Sequence, residues 1–160
     1  MNKVQIKIIG VDCATDRKKV GLAVGTFENG ETVVEDTIVC RKVDPHAKIK
    51  EWLHSWEGPV LNALDAPLGW PNQMGSRLHS HRAGGHIRVD ANDFFRRHTD
   101  RFIREHLGKQ SLDVGADRIA RTAHSALRLL DRLRDLLKSD IELAWSTSIS
   151  GIRAIEVYPA

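Results

Sequence analysis

The stretch "VLNALDAPLG", Val60–Gly69, decides how this chain is read. A short apolar run ends on Asp65 and turns at once into Ala66-Pro67-Leu68-Gly69. Four of its first five residues are apolar, which fits a buried strand, and Pro-x-Gly just beyond marks its end. A carboxylate is costly to bury. Asp65 is therefore either a turn residue whose oxygen bonds nearby backbone N–H groups or a group held at a strand end for chemistry.

Upstream lies "DPHAKIKEWLHSW", Asp44–Trp56. Asp-Pro is a helix entry with proline in the first turn, and Ile49, Trp52, Leu53 and Trp56 recur at helical spacing. Gly58-Pro59 closes that helix. A strand reached through a helix lies parallel to its neighbour. Three strands precede the helix: Val4–Asp12, Val20–Phe27 and Thr32–Cys40, the last two joined at Asn29-Gly30, a two-residue hairpin turn. The chain thus opens with an antiparallel meander, then passes through a helix into a strand parallel to the first. Downstream, residues 66–90 show no regular pattern. Two helices follow, one capped by Asp90 and carrying Phe94, Phe95, Phe102 and Ile103. The other is capped by Asp117, with an apolar stripe of Ile119, Ala123, Leu127, Leu130, Leu133 and Leu137. Ile152–Tyr158 is the final strand. The expectation is a single α/β domain over 1–160 with a mixed five-stranded sheet, into which 66–151 inserts a loop and helices before the last strand.

This order has a chemical consequence. Asp12 ends the first strand and Asp65 the fourth, so parallel pairing brings both carboxylates to the edge where open α/β sheets bind ligands. Glu156, near the end of the last strand, joins them if that strand is also parallel. Clustered carboxylates repel and take up protons unless a cation holds them. An all-oxygen site that keeps some water suits Mg²⁺ or Mn²⁺. Two such ions about 4 Å apart clamp the attacking and leaving oxygens of a phosphodiester, so no serine or cysteine nucleophile is required.

Charge supports a phosphate-bearing partner. The net charge is +3 with pI near 9.0. The segment Arg77–Arg104 alone carries seven arginines against three aspartates. Lys18, after the first strand, and Arg82, Arg88, Arg97 and Arg101 are the expected contacts to nucleic-acid or nucleotide phosphates. The alternative for the same residues is a solvated surface laced with ion pairs such as Arg97 with Asp100. His79, His81 and His86 sit in "SRLHSHRAGGHIR", with no cysteine among them, and read as a polar loop hinged at Gly84-Gly85 and not as a zinc site. Cys13 and Cys40 have neither disulfide-framework nor zinc spacing. "MNKVQIKIIGVD" is no signal peptide, since Lys7 breaks its short apolar run, and no apolar segment reaches bilayer length. The default location is the cytoplasm.

The motifs "IIGVD", "ALDAPLGWP" and "IEVYPA", with "RRHTDRFIREHLG" and "ADRIARTAH" between them, resemble the family of uncharacterised proteins known as DUF429. The resemblance spans nearly the whole chain, and "DAPLG" and "EVYP" are its most specific parts. It implies a ribonuclease-H-like fold and nuclease activity at an acidic site. By motif position that site is built on Asp12 and Asp65, with Glu156 a candidate third member. Such folds continue past the fifth strand into a helix with a further acid. This sequence ends at Ala160, which leaves a fragment or an incomplete site as the alternatives. Two rival functions share the strand order. One is half of a phosphotransferase of the actin and sugar-kinase type; the other is a non-catalytic module that binds nucleic acid or protein.

Overall fold

The computed structural model describes residues 5–115 and 117–157. Val4 and Tyr158, the expected outer ends of the first and last strands, lie outside the described residues. The strands are β1 (Ile6–Asp12), β2 (Gly21–Glu28), β3 (Glu31–Val39), β4 (Val60–Asp65), β5 (Ile141–Leu143) and β6 (Ile152–Glu156). They form one mixed sheet in the order β3-β2-β1-β4-β6-β5. The meander is antiparallel, and β1, β4, β6 and β5 run parallel. Among the described residues six strands replace the expected five. The extra one, β5, is a three-residue edge strand, which is too short to show an alternating pattern.

Alternation along β1 sets the two faces. Ile9 and Val11 are buried, with the Lys7 stem beside them, while Gly10 and Asp12 point the other way. The buried face is covered by α1 (Pro45–Trp52) and by α5 (Asp117–Leu137), which pack on each other. Ile9, Ile49, Leu64, Leu130 and Leu133 are all 0–1% exposed and form the centre of the core. On α5 the buried stripe is Ala123, Ala126, Leu129, Leu130 and Leu133; Leu127 is only half-buried. Asp117 lies inside the first turn of α5, so it is not the cap expected of it. Trp52 and Trp56 pack against the core, and their indole N–H groups donate to Asp36 and to the Pro59 carbonyl.

Residues 66–90 contain a helix that has no counterpart in the sequence reading, α2 (Asn72–Leu78). Its one buried residue is Met74, so it carries no apolar period to reveal it. The helix expected after Asp90 is two helices, α3 (Ala91–Phe95) and α4 (His98–Leu107). Asp90 caps α3 by accepting from the Asn92 N–H at 2.8 Å. The break comes at Arg96 and Arg97, both extended, because Asp100 accepts the Arg97 backbone N–H at 2.8 Å and starts a new helix there. No helix among the described residues is long and apolar enough to cross a membrane.

Candidate functional site

Asp12 and Asp65 are direct register partners on neighbouring parallel strands. Partners in a parallel pair project to the same side of the sheet. Both side chains therefore leave the open face, away from α1 and α5, at the carboxyl ends of β1 and β4. Neither carboxylate has a hydrogen-bond or cationic partner among the described residues. The pairing is felt electrostatically. The Asp65 carboxyl is held above the usual carboxylate range, first by partial burial, then by the charge of Asp12, and then by that of Glu156. The Cys13 thiol is pushed up to about 12 by burial, by Asp65 and by Asp12. A thiol so perturbed is neutral near pH 7 and is no nucleophile.

The floor beside the pair is made of small residues. In "GLAVG", Gly21–Gly25, the small side chains alternate, so β2 turns Gly21 and Ala23 toward the same open face as Asp12 and Gly10. Gly21 lies directly opposite Asp12, and a Cβ there would sit 3.2 Å from the Asp12 Cβ. Together with Ala63 of β4 and Thr37 and Val39 of β3, these residues line a shallow cleft of about 800 Å³ that ends at the two carboxylates. The sequence reading passed over this paving. Its signal was present: three small residues at a period of two on a strand mark a face that something approaches closely.

Glu156 is placed differently. It pairs in register with Leu64, not with Asp65. Leu64 is fully buried on the helix side, so Glu156 projects to the opposite face from Asp12 and Asp65. There it accepts two hydrogen bonds from the Arg97 guanidinium, both 2.6 Å, and one from the Leu68 N–H at 3.1 Å. Arg97 also donates to both oxygens of Asp100, whose side chain is 1% exposed. Asp100–Arg97–Glu156 is thus a largely buried ion network that ties α4 to the end of β6. Among the described residues no group of three or more His, Cys, Asp or Glu side chains is gathered to hold a metal ion.

The expected phosphate contacts divide in the same way. Arg97 is committed to that network, and Arg101 pairs with Asp93. Lys18, in the short 3-10 turn Arg17–Lys19 that follows β1, is exposed, as are Arg82 and Arg88. None of these three has an ion-pair partner among the described residues. His79, His81 and His86 are exposed and spread along their loop, where His81 Nε2 hydrogen-bonds the Gly85 carbonyl at 2.9 Å.

The family model described as "Protein of unknown function (DUF429)" matches residues 10–160. The chain belongs to the DUF429 family. The match takes in Asp12, Asp65 and Glu156, and the resemblance seen in "DAPLG" and "EVYP" agrees with it. No curated protein and no solved structure matches this DUF429 chain.

Proposed function

We propose that this DUF429 protein is a ribonuclease-H-like, metal-dependent phosphodiester hydrolase whose metal ligands are Asp12 and Asp65. The observation that carries the reading is the register match Asp12↔Asp65, which sets two unpartnered carboxylates side by side at the carboxyl edge of parallel strands. The order β3-β2-β1-β4-β6, an antiparallel meander followed by parallel strands, supports the fold assignment.

The donor set fits a hard cation. Mg²⁺ keeps several waters and is held by one or two carboxylates plus substrate phosphate oxygens, so a pair of aspartates is a sufficient protein contribution. When bound, the ion supplies Lewis-acid stabilisation of charge developing on a phosphoryl oxygen. The chain's own residues do the rest. Strands β1 and β4 fix the two carboxylates rigidly, and Gly21 keeps the space over Asp12 open. The small-residue face of Gly10, Gly21, Ala23 and Ala63 lets a polynucleotide backbone lie close to the sheet. Lys18, Arg82 and Arg88 supply unpaired positive charge to attract it. Glu156 is the anchor of the Arg97 network on the other face of the sheet.

The test is cleavage of labelled single- and double-stranded DNA and RNA with Mn²⁺, comparing the protein with Asp12→Ala. Cleavage by the parent protein that is lost in the variant and in chelator is expected. Equal behaviour of the two across the panel defeats the hydrolase reading.

A further inference from the structure

The four tryptophans fall into two pairs. Trp52 and Trp56 are half-buried against the core, and their indole N–H groups donate to Asp36 and to the Pro59 carbonyl. Trp70 and Trp145 are 41% and 83% exposed, and neither indole N–H has a hydrogen-bond partner among the described residues. One exposed apolar side chain calls for no explanation, but several around one concavity do. Both exposed indoles line the same cavity, of about 460 Å³, together with Ile155, which is 37% exposed. That volume lies within the range of small-molecule sites, roughly 300–1,000 Å³.

The backbone holds the walls of this cavity while the rings stay bare. Ala144, just before Trp145, donates its N–H to the Ala154 carbonyl at 2.8 Å, which extends the β5–β6 pairing up to the tryptophan. On the other side the Leu68 N–H donates to Glu156 Oε2 at 3.1 Å and fixes the turn that leads from Asp65 to Trp70. Leu68, Ile103, Leu143, Ala154 and Ile155 make the lining apolar. Its charged members, Arg97 and Glu156, are bonded to each other. An anion therefore finds Arg97 engaged, and a cation finds Glu156 engaged. What the cavity offers is flat aromatic surface. At its rim stand His98 and Thr99, the first two residues of α4, whose side chains have no hydrogen-bond partner among the described residues. Ile155 is the register partner of Ala63, so it projects to the face that carries Asp12 and Asp65. The cavity thus opens at the end of β6, the strand next to the one that carries Asp65.

We infer that this cavity takes a nucleobase of a single-stranded polynucleotide, stacked on the indoles of Trp70 and Trp145. The choice of occupant rests on the hydrolase reading, because the cavity lies at the same carboxyl edge as the aspartate pair and continues the surface on which the polynucleotide lies. Every base has a π face, so stacking on an indole accepts any sequence. The two indole N–H groups and the His98 and Thr99 side chains supply hydrogen bonds to the base edge. A base in a duplex has to be unpaired and unstacked before it can enter, whereas one in a single strand is already available. The cavity therefore selects single strands over duplexes.

The experiment is binding of short fluorescein-labelled single strands of DNA and RNA, and of the same sequences as duplexes, followed by fluorescence anisotropy in chelator. Unlabelled strands are read in parallel by quenching of tryptophan emission. Chelator stops metal-dependent cleavage, so this result is separate from that of the cleavage test. Single strands are expected to bind at least ~10-fold more tightly than duplexes and to quench the emission. Trp145→Ala alters a side chain that is 83% exposed, so it folds. It is expected to lose roughly 5- to 100-fold in single-strand affinity and little in duplex affinity. Trp145→Phe keeps a ring and is expected to retain most of the affinity. Trp70→Leu is expected to weaken single-strand binding in the same way, and the emission left in the double variant, from Trp52 and Trp56, is expected to be insensitive to the strands. Duplexes bound as tightly as single strands, or equal single-strand binding by the parent, Trp70→Leu and Trp145→Ala, overturns the base site, even where the protein cleaves nucleic acid and Asp12→Ala does not. Single-strand binding that depends on Trp145, in a protein that cleaves nothing on the panel, keeps the base site and removes the hydrolase reading alone.

Discussion

Replacing Asp65 by Asn removes a charge without changing the shape of the side chain. In chelator, with no cation to offset it, the pair Asp12–Asp65 is repulsive in the folded state. Neighbouring strands lie about 4.8 Å apart, and the two carboxylates are register partners. Coulomb's law at about 5 Å gives roughly 0.8 kcal/mol in bulk water and roughly 3 kcal/mol at an effective dielectric constant of 20. Asp12 is exposed and Asp65 half-buried, so the lower part of this range applies, about 1 kcal/mol. For a chain of this size that raises the melting temperature by about 2–4 °C. The sign with pH follows from the upward shift of the Asp65 carboxyl. A carboxyl that binds its proton more tightly in the folded state contributes stability that is complete below the unfolded pKa and is lost as pH rises through the folded value. Asp65→Asn therefore gains most at pH 7, and the gain vanishes below the ordinary aspartate range, near pH 3.8. Differential scanning calorimetry in chelator between pH 3 and pH 8 reads this directly. An Asp65→Asn variant that melts no higher than the parent at pH 7, or an advantage that grows as pH falls, refutes the electrostatic coupling.

Three further outcomes are expected. Arg97→Met takes the guanidinium away from Asp100, whose side chain is 1% exposed, and from Glu156; a loss of about 3–5 kcal/mol in urea denaturation is expected, and a loss below about 1 kcal/mol removes the network's structural role. Gly25→Ala puts a Cβ 2.6 Å from the Val33 carbonyl oxygen at the irregularity in the β2–β3 pairing, and a drop of about 1–3 kcal/mol in the same assay is expected; an unchanged midpoint contradicts the close approach. With its thiol pushed up to about 12, Cys13 should react with iodoacetamide at pH 8.5 at least ~100-fold more slowly than in the unfolded chain, and Asp65→Asn should speed it; a fast native reaction, or no response to the substitution, counts against the crowding of charge at Asp12 and Asp65.

The central half of the fold was legible because strong local signals agree. Asn29-Gly30 fixes the hairpin, Asp44-Pro45 opens α1, and Gly58-Pro59 closes the crossover, so β4 had to return parallel to β1. Asp12 and Asp65 follow from that topology alone. What escaped reading lacks periodicity or depends on register. The edge strand β5 is three residues long, α2 buries only Met74, and the α3–α4 break rests on one side chain, Asp100, taking one backbone N–H. Glu156 shows the register problem most sharply. The sequence places it at the end of a parallel strand, but a shift of one residue decides its face, and it pairs with Leu64 instead of Asp65.

Titration of the protein with Mn²⁺, followed by electron paramagnetic resonance of the free ion, tests the central claim most directly. The parent protein and Glu156→Gln are expected to bind Mn²⁺ alike, because Glu156 lies on the far face with Arg97. Asp12→Asn and Asp65→Asn are each expected to lose at least ~10-fold in affinity, as the removal of one of two carboxylate ligands requires. Equal Mn²⁺ binding by the parent, Asp12→Asn and Asp65→Asn would show that the two aspartates do not share a cation.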